Sequence, residues 1–89
     1  MRRPSVVNIM GHVVRILPMP DQQDDNLHGY CDCQKDIVYL RVDLGEAVWE
    51  HDLIHEVIHW IDRSSDLELD EGQISGIAAG LFSMGVRIR

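Results

Sequence analysis

Residues 46–62 read EAVWEHDLIHEVIHWID, and this stretch decides the fold of the 89-residue chain. At about 100° per residue, its apolar side chains cover more than half of a helix circumference, which predicts a helix at the centre of the domain. The remaining side carries a narrow, mostly polar stripe. That stripe comprises Val48, His51, Asp52, His55, His59 and Asp62.

The flanks of this stretch carry helix boundary signals. Asp43 is expected to cap the helix, which should start near Gly45 and Glu46, because its short carboxylate can accept hydrogen bonds from free backbone N–H groups. The polar residues 64–66 should end the helix.

A second helix is expected to begin near Asp70. Asp70 and Gln73 stand three residues apart, as in a capping box. Ile74, Ile77 and Leu81 then follow at helical spacing, which predicts that they form the buried row.

The first half of the chain has the composition of β-strands. Residues 6–17 form one strand, or two with a turn at Gly11, and residues 28–33 and 37–42 form a hairpin. Residues 21–26 are polar and should form a loop. The sequence therefore predicts an α+β fold, with a small, mostly antiparallel three-stranded sheet followed by the two helices.

Length and charge restrict the classes of function. Residues 1–89 are enough for a single domain with a thin core, and such domains often depend on a metal, a disulfide or a partner. The net charge of −7 and the scattered basic residues argue against nucleic acid and against an anionic membrane surface. With no long apolar run and no convincing signal sequence, the chain is expected to be cytoplasmic.

Cys31 and Cys33 are separated by one residue in a predicted strand, so their side chains should point to the same face. A disulfide between them would be strained, and zinc hooks usually have two intervening residues. A pair of free thiols is the prediction.

The central helix carries the pattern H-E-x-x-H at His55, Glu56 and His59. Two histidines four residues apart lie on one helix face, where both imidazoles can bind one Zn²⁺. Glu56 is rotated away from both histidines, so it can act as general base on a water at the ion. Glu71, in the first turn of the second helix, is the candidate third ligand.

Other polar residues are candidates for substrate contacts. His51 lies one turn before His55 on the same face of the helix. It either lies at the rim of the site or is simply exposed. His12 and His28 lie in strands, where each is an oxyanion or substrate contact or a satisfied structural residue. Tyr30 is either a hydrogen-bond donor to substrate or a packing residue.

With these residues placed, the sequence resembles the zincin metallopeptidases, and among them the small phage and prokaryotic gluzincins. The resemblance runs from Gly29 through the H-E-x-x-H helix to Ile74. It implies His55, His59 and Glu71 as zinc ligands and Glu56 as base.

The resemblance also implies an edge strand that binds peptide by strand addition, for which residues 28–33 are the candidate. Many gluzincins carry Asp or Asn four residues after the third ligand, where this chain has Ser75. Larger relatives also carry a His or Tyr after the third ligand, whereas this chain has neither after Glu71.

Three functions are compatible with this site. The leading one is a zinc-dependent peptidase that acts on peptides or proteins. The second is a non-catalytic module in which zinc stabilises a thin core and the domain binds a partner. The third is a regulatory protease of a mobile element that acts on a repressor, as anti-repressor metalloproteases do.

Overall fold

The computed structural model describes residues 3–20 and 26–89, which form four strands and two helices. In chain order the elements are β1 (Val6–Ile9), β2 (His12–Pro18), β3 (Gly29–Asp32), β4 (Ile37–Leu40), α1 (Glu46–Ser65) and α2 (Glu71–Ser83). The α+β class is confirmed. Most of the predicted polar loop, residues 21–25, and the first two residues lie outside the described part of the chain.

The chain reverses direction between β1 and β2 in a two-residue turn. Met10 and Gly11 both have positive φ, 52° and 84°, and Ile9 pairs with His12 across the turn. Positive φ at both central positions is the geometry of a type I′ hairpin, and glycine adopts it without steric cost. Residues 6–17 are therefore two strands, as the alternative with a turn at Gly11 predicted.

The sheet order is β1-β2-β4-β3, and β2 pairs with β4 in parallel. The predicted three-stranded, mostly antiparallel sheet is wrong in strand number and in this pairing, although β3 and β4 do form an antiparallel hairpin. Burial explains the order. Val38 and Leu40 of β4 are at most 1% exposed and require neighbours on both sides, whereas Tyr30 of β3 is exposed. The hairpin therefore docks through β4 and leaves β3 at the edge.

Helix α1 packs against the sheet through one apolar row, in which Trp60 is 1% exposed. The indole nitrogen of Trp60 donates a 2.8 Å hydrogen bond to Asp36, in the turn between β3 and β4. The N-cap of α1 is Gly45, and no side chain caps it. The prediction that Asp43 caps α1 is wrong, because its carboxylate pairs with Arg41 at 2.7–2.9 Å instead.

Helix α2 begins with the predicted capping box. The Asp70 carboxylate accepts a 2.7 Å hydrogen bond from the backbone N–H of Gln73, whose side chain accepts one from the backbone of Asp70. The buried row differs from the prediction. Ile74 and Ala78 are buried and Leu81 is partly buried, but Ile77 is 44% exposed because α2 has α1 on one side only.

Neither helix in the described ranges has the combination of length and apolar character that crossing a membrane requires. The predicted cytoplasmic location stays a prediction.

Replacing Gly29 with alanine should destabilise the protein. The added Cβ would meet the carbonyl oxygen of Tyr39 and would lie 2.6 Å from the side chain of Leu40. We expect a loss of about 1–3 kcal/mol in the free energy of unfolding, because β3 must shift away from β4. Urea unfolding followed by circular dichroism measures it.

The control for this variant is Gly76→Ala in α2, where a Cβ meets nothing within 4 Å. It should stabilise the protein by about 0.5–1 kcal/mol, the usual gain of alanine over glycine in a helix. A Gly29→Ala variant as stable as the wild type would contradict the close pairing of β3 with β4.

Candidate metal centre

A cleft of about 490 Å³ lies between the edge strand β3, the polar stripe of α1 and the start of α2. All four residues predicted for the metal and the base line it. These are His55, Glu56, His59 and Glu71. Residues far apart in the sequence therefore meet at one open site.

Three side chains converge on one point of this cleft. The Nε2 atoms of His55 and His59 are 3.2 Å apart. The carboxylate of Glu71 places one oxygen 2.7 Å from Nε2 of His55 and the other 3.0 Å from Nε2 of His59. Among the described residues, these three form the group whose ligand atoms could hold a metal ion, all within 4.8 Å of one another.

The arrangement fits a small divalent cation. Two nitrogen donors about 2.0–2.1 Å from one ion at a tetrahedral angle lie about 3.3 Å apart, close to the separation seen between the two imidazoles. Two imidazoles and one carboxylate form a donor set that suits zinc and leaves a fourth position open. The carboxylate oxygens lie at hydrogen-bond distance from the imidazoles, which holds the three groups together.

The link between the helices brings Glu71 to the histidines. Asp62, a buried residue of the polar stripe, accepts a 2.9 Å hydrogen bond from the backbone N–H of Leu69. Asp66 and Glu68 both have positive φ, which turns the chain sharply after α1. Glu71 is consequently the first residue of α2, where the helix dipole favours a carboxylate. Asp62 therefore fixes the link to α2, although its position on the stripe alone gave no sign of this role.

Glu56 lies in the same turn of α1 as the two histidines and is 9% exposed. Burial is the main cause of a rise in the pKa of the Glu56 carboxyl, from its ordinary 4.5 to about 7. The negative charges of Glu71 and Asp52 add to this rise. Below about pH 7 the protonated form of Glu56 is therefore favoured when no cation occupies the cleft.

His51 and Tyr30 are placed differently. The ring of His51 packs against Phe82 of α2, with centroids 5.2 Å apart, and His51 is not among the described residues that line the cleft. No hydrogen-bond partner among the described residues reaches its buried Nε2. Tyr30 does line the cleft, but its ring packs on that of Tyr39 at 4.7 Å.

The two histidines predicted to lie in strands also differ in position, and only His12 lies in one. His28 lies in the cleft, where its Nδ1 is 2.8 Å from a carboxylate oxygen of Asp52. His12 lies elsewhere, 3.6 Å from Asp36 and edge-on to Trp60. The sequence did not show the pair of His28 and Asp52, because Asp52 is merely one more polar residue of the stripe and His28 precedes a strand.

Cys31 and Cys33 are free thiols, as predicted, and both line the cleft. Their sulfur atoms are 2.9 Å apart, on the sheet face that packs toward α1. Burial and the neighbouring thiol raise the pKa of Cys31 well above its ordinary value. Cys31 is therefore kept in its uncharged, poorly nucleophilic form.

Replacing Glu56 with glutamine should stabilise the metal-free protein at alkaline pH. Between pH 4.5 and about 7 the unfolded chain loses the Glu56 proton while the folded chain retains it, so the wild type loses stability as pH rises through this window. At pH 8 in a chelator we expect the variant to be more stable by about 1–3 kcal/mol, with the gain disappearing near pH 5.

Urea unfolding at both pH values measures this difference. Glu68→Gln, which removes a charge from an exposed position in the link, is the matched control and should show no such gain. Equal stabilities of wild type and Glu56→Gln at pH 8 would contradict the burial cost.

Comparison with known proteins gives no match of the sequence to a family model, and no significant match to a curated protein or to a solved structure.

Proposed function

We propose that this protein is a zinc-dependent peptidase of the gluzincin type. The observation that carries the proposal is the convergence of His55 and His59 from α1 with Glu71 from α2. If the H-E-x-x-H pattern had arisen by chance on a solvated helix, we would not expect the Glu71 carboxylate of the second helix to contact both imidazoles.

Each residue of the site has a distinct task in the proposed reaction. His55, His59 and Glu71 would hold the ion. Zinc in such a site supplies Lewis acidity, which activates water for attack on a carbonyl. Glu56 accepts the proton of the attacking water on its carboxylate and then donates it to the departing amine. It reaches the cleft from the same rigid turn as the histidines, so its position is set by α1.

An extended peptide is the substrate that suits the shape of the cleft. β3 is an edge strand of the sheet and forms one wall of the cleft. A peptide that adds to this edge receives backbone hydrogen bonds along its length and passes beside Glu56. Peptides and unfolded protein segments are therefore the proposed substrate class.

The ligand assignment is tested by zinc affinity. Glu71→Gln should weaken zinc binding by more than about 100-fold, because even outer-shell partners of a ligand contribute about 10–100-fold. Glu68→Gln removes a nearby charge without touching the site, and its affinity should match that of the wild type. Competition with a chromogenic chelator gives both values. Equal affinities of Glu71→Gln and wild type would exclude Glu71 as a ligand.

The catalytic assignment is tested by Glu56→Gln. The variant should retain zinc but hydrolyse a denatured protein about 10²–10⁴-fold more slowly, because this is the usual contribution of a general base. Mass spectrometry of the products measures this rate. If the folded, zinc-loaded wild type cleaves nothing across a broad peptide library, the protein is not a peptidase.

The second candidate function is a non-catalytic module stabilised by zinc. The contact between α1 and α2 has a small buried core, comprising Ile54, Ile58, Ile74 and Ala78. Because Glu71 lies beside both histidines, a bound ion would join the two helices next to this core. Such an ion would stabilise the domain even without catalysis.

Chelation separates the two functions. For the peptidase we expect a chelator to lower the melting temperature while circular dichroism still reports folded helices, because the packing of α1 on the sheet does not involve Glu71. If the free zinc concentration is about 1,000 times the dissociation constant, removal of the zinc lowers the free energy of unfolding by about 4 kcal/mol. Complete loss of helical signal at 20 °C would favour the structural role.

A regulatory protease of a mobile element would use the same four residues and differ only in its substrate. Its substrate would be a repressor, which could offer an extended segment to β3 in the same way. Cleavage of unstructured segments within folded DNA-binding proteins, rather than of denatured proteins in general, is the result that favours this third function.

A further inference from the structure

The pair of His28 and Asp52 spans the cleft from the sheet edge to α1. The Nδ1 atom of His28 and the Asp52 carboxylate are 2.8 Å apart, and the His28 side chain is 45% exposed. Both residues line the cleft together with Glu56. Asp52 lies about one helical turn before His55, on the same polar stripe.

Both members of this pair have fixed backbones. Asp52 is in the middle of α1. The carbonyl oxygen of His28 accepts a 2.9 Å hydrogen bond from the backbone N–H of Arg41, which continues the pairing of β3 with β4 by one residue. The imidazole is therefore held at a defined place in the cleft.

Hydrogen bonding determines which nitrogen of His28 is available to a ligand. Nδ1 donates to Asp52, so Nε2 is the nitrogen left for a molecule in the cleft. A protonated imidazole donates from both nitrogens, and the Asp52 carboxylate is a partner for the first of them. Nε2 can then donate a hydrogen bond to an oxygen atom.

Resting on the peptidase function above, we propose that His28 is a catalytic residue whose Nε2 donates a hydrogen bond to the carbonyl oxygen of the scissile peptide, with Asp52 as its positioning residue. This hydrogen bond strengthens as the oxygen gains negative charge, which is what accelerates the reaction. Tyr30 is the other aromatic hydrogen-bond donor named for a substrate contact that lines the cleft. His12 and His51 lie outside the cleft, and the ring of Tyr30 packs on Tyr39.

The probe for this role is a phosphinic peptide, whose tetrahedral phosphinate imitates the charged oxygen. Its affinity for the zinc-loaded protein is measured by calorimetry for the wild type, His28→Ala and His28→Gln. Removal of an oxyanion donor should weaken binding by about 10–1,000-fold in His28→Ala, while zinc affinity stays unchanged. Asp52→Asn, which leaves the ring but removes its charged partner, should show a smaller loss.

The chain contains a matched control. His12 also lies beside a carboxylate, that of Asp36, but outside the cleft. His12→Ala should bind the phosphinate as the wild type does. Arg63 also lines the cleft and carries a positive charge, so Arg63→Gln is measured in parallel and should have the smaller effect.

A second measurement needs no variant. Nitrogen NMR of the wild type, with histidines labelled in the ring, should show the Nε2 resonance of His28 shifting on addition of the phosphinate. This readout keeps the proposal testable even if a His28 variant fails to fold.

The outcomes are distinct. Wild-type phosphinate affinity in both His28 variants, with or without a lower melting temperature, overturns the role of His28 and leaves the peptidase function intact. A larger loss in Arg63→Gln than in His28→Ala, or an unmoved Nε2 resonance, also overturns it. A wild type that binds zinc but not the phosphinate overturns the peptidase function together with this inference.

Discussion

Helix α1 packs against the sheet on one side and against α2 on another, and this double burial constrains the rest of the molecule. Trp60 and Leu53 contact the sheet, while Ile54 and Ile58 contact α2. Each such side chain contributes about 1.5–3 kcal/mol by leaving water, so α1 cannot rotate about its axis without losing much of the core. Asp52, His55 and His59 of its polar stripe must then face the space that remains, which is the cleft beside β3.

The second constraint is the place where α2 begins. An apolar contact is non-directional and would tolerate α2 sliding along α1. The hydrogen bond from Leu69 to Asp62 and the capping box at Asp70 remove that freedom, because both are directional and adjacent to Glu71. A site made from two helices therefore depends on polar contacts in the link as much as on the buried core.

Local signals in the sequence predicted α1, the capping box and the pairing of His55 with His59, because helical spacing and caps involve residues close in the chain. Glu71 as third ligand was predicted from helix geometry together with the family resemblance, and the structure brings it to both histidines. The sheet order was missed, since the parallel pairing of β2 with β4 depends on burial on both sides of β4. The exposure of Ile77 was missed because it depends on how many neighbours α2 has. The pair of His28 and Asp52 joins residues 24 positions apart, and nothing local indicates it.

The charge of the cleft connects stability with function. Glu56, Glu71 and Asp52 lie around one opening, and the latter two are among the causes that make ionised Glu56 costly in the folded state. A divalent cation between the imidazoles and Glu71 would reverse the sign of the local field, so the ionised form of Glu56 would become favourable. The same arrangement that destabilises the metal-free protein would then favour both cation binding and a carboxylate able to accept a proton. Negative charge in the cleft thus lowers the stability of the metal-free protein and would favour the binding of a cation.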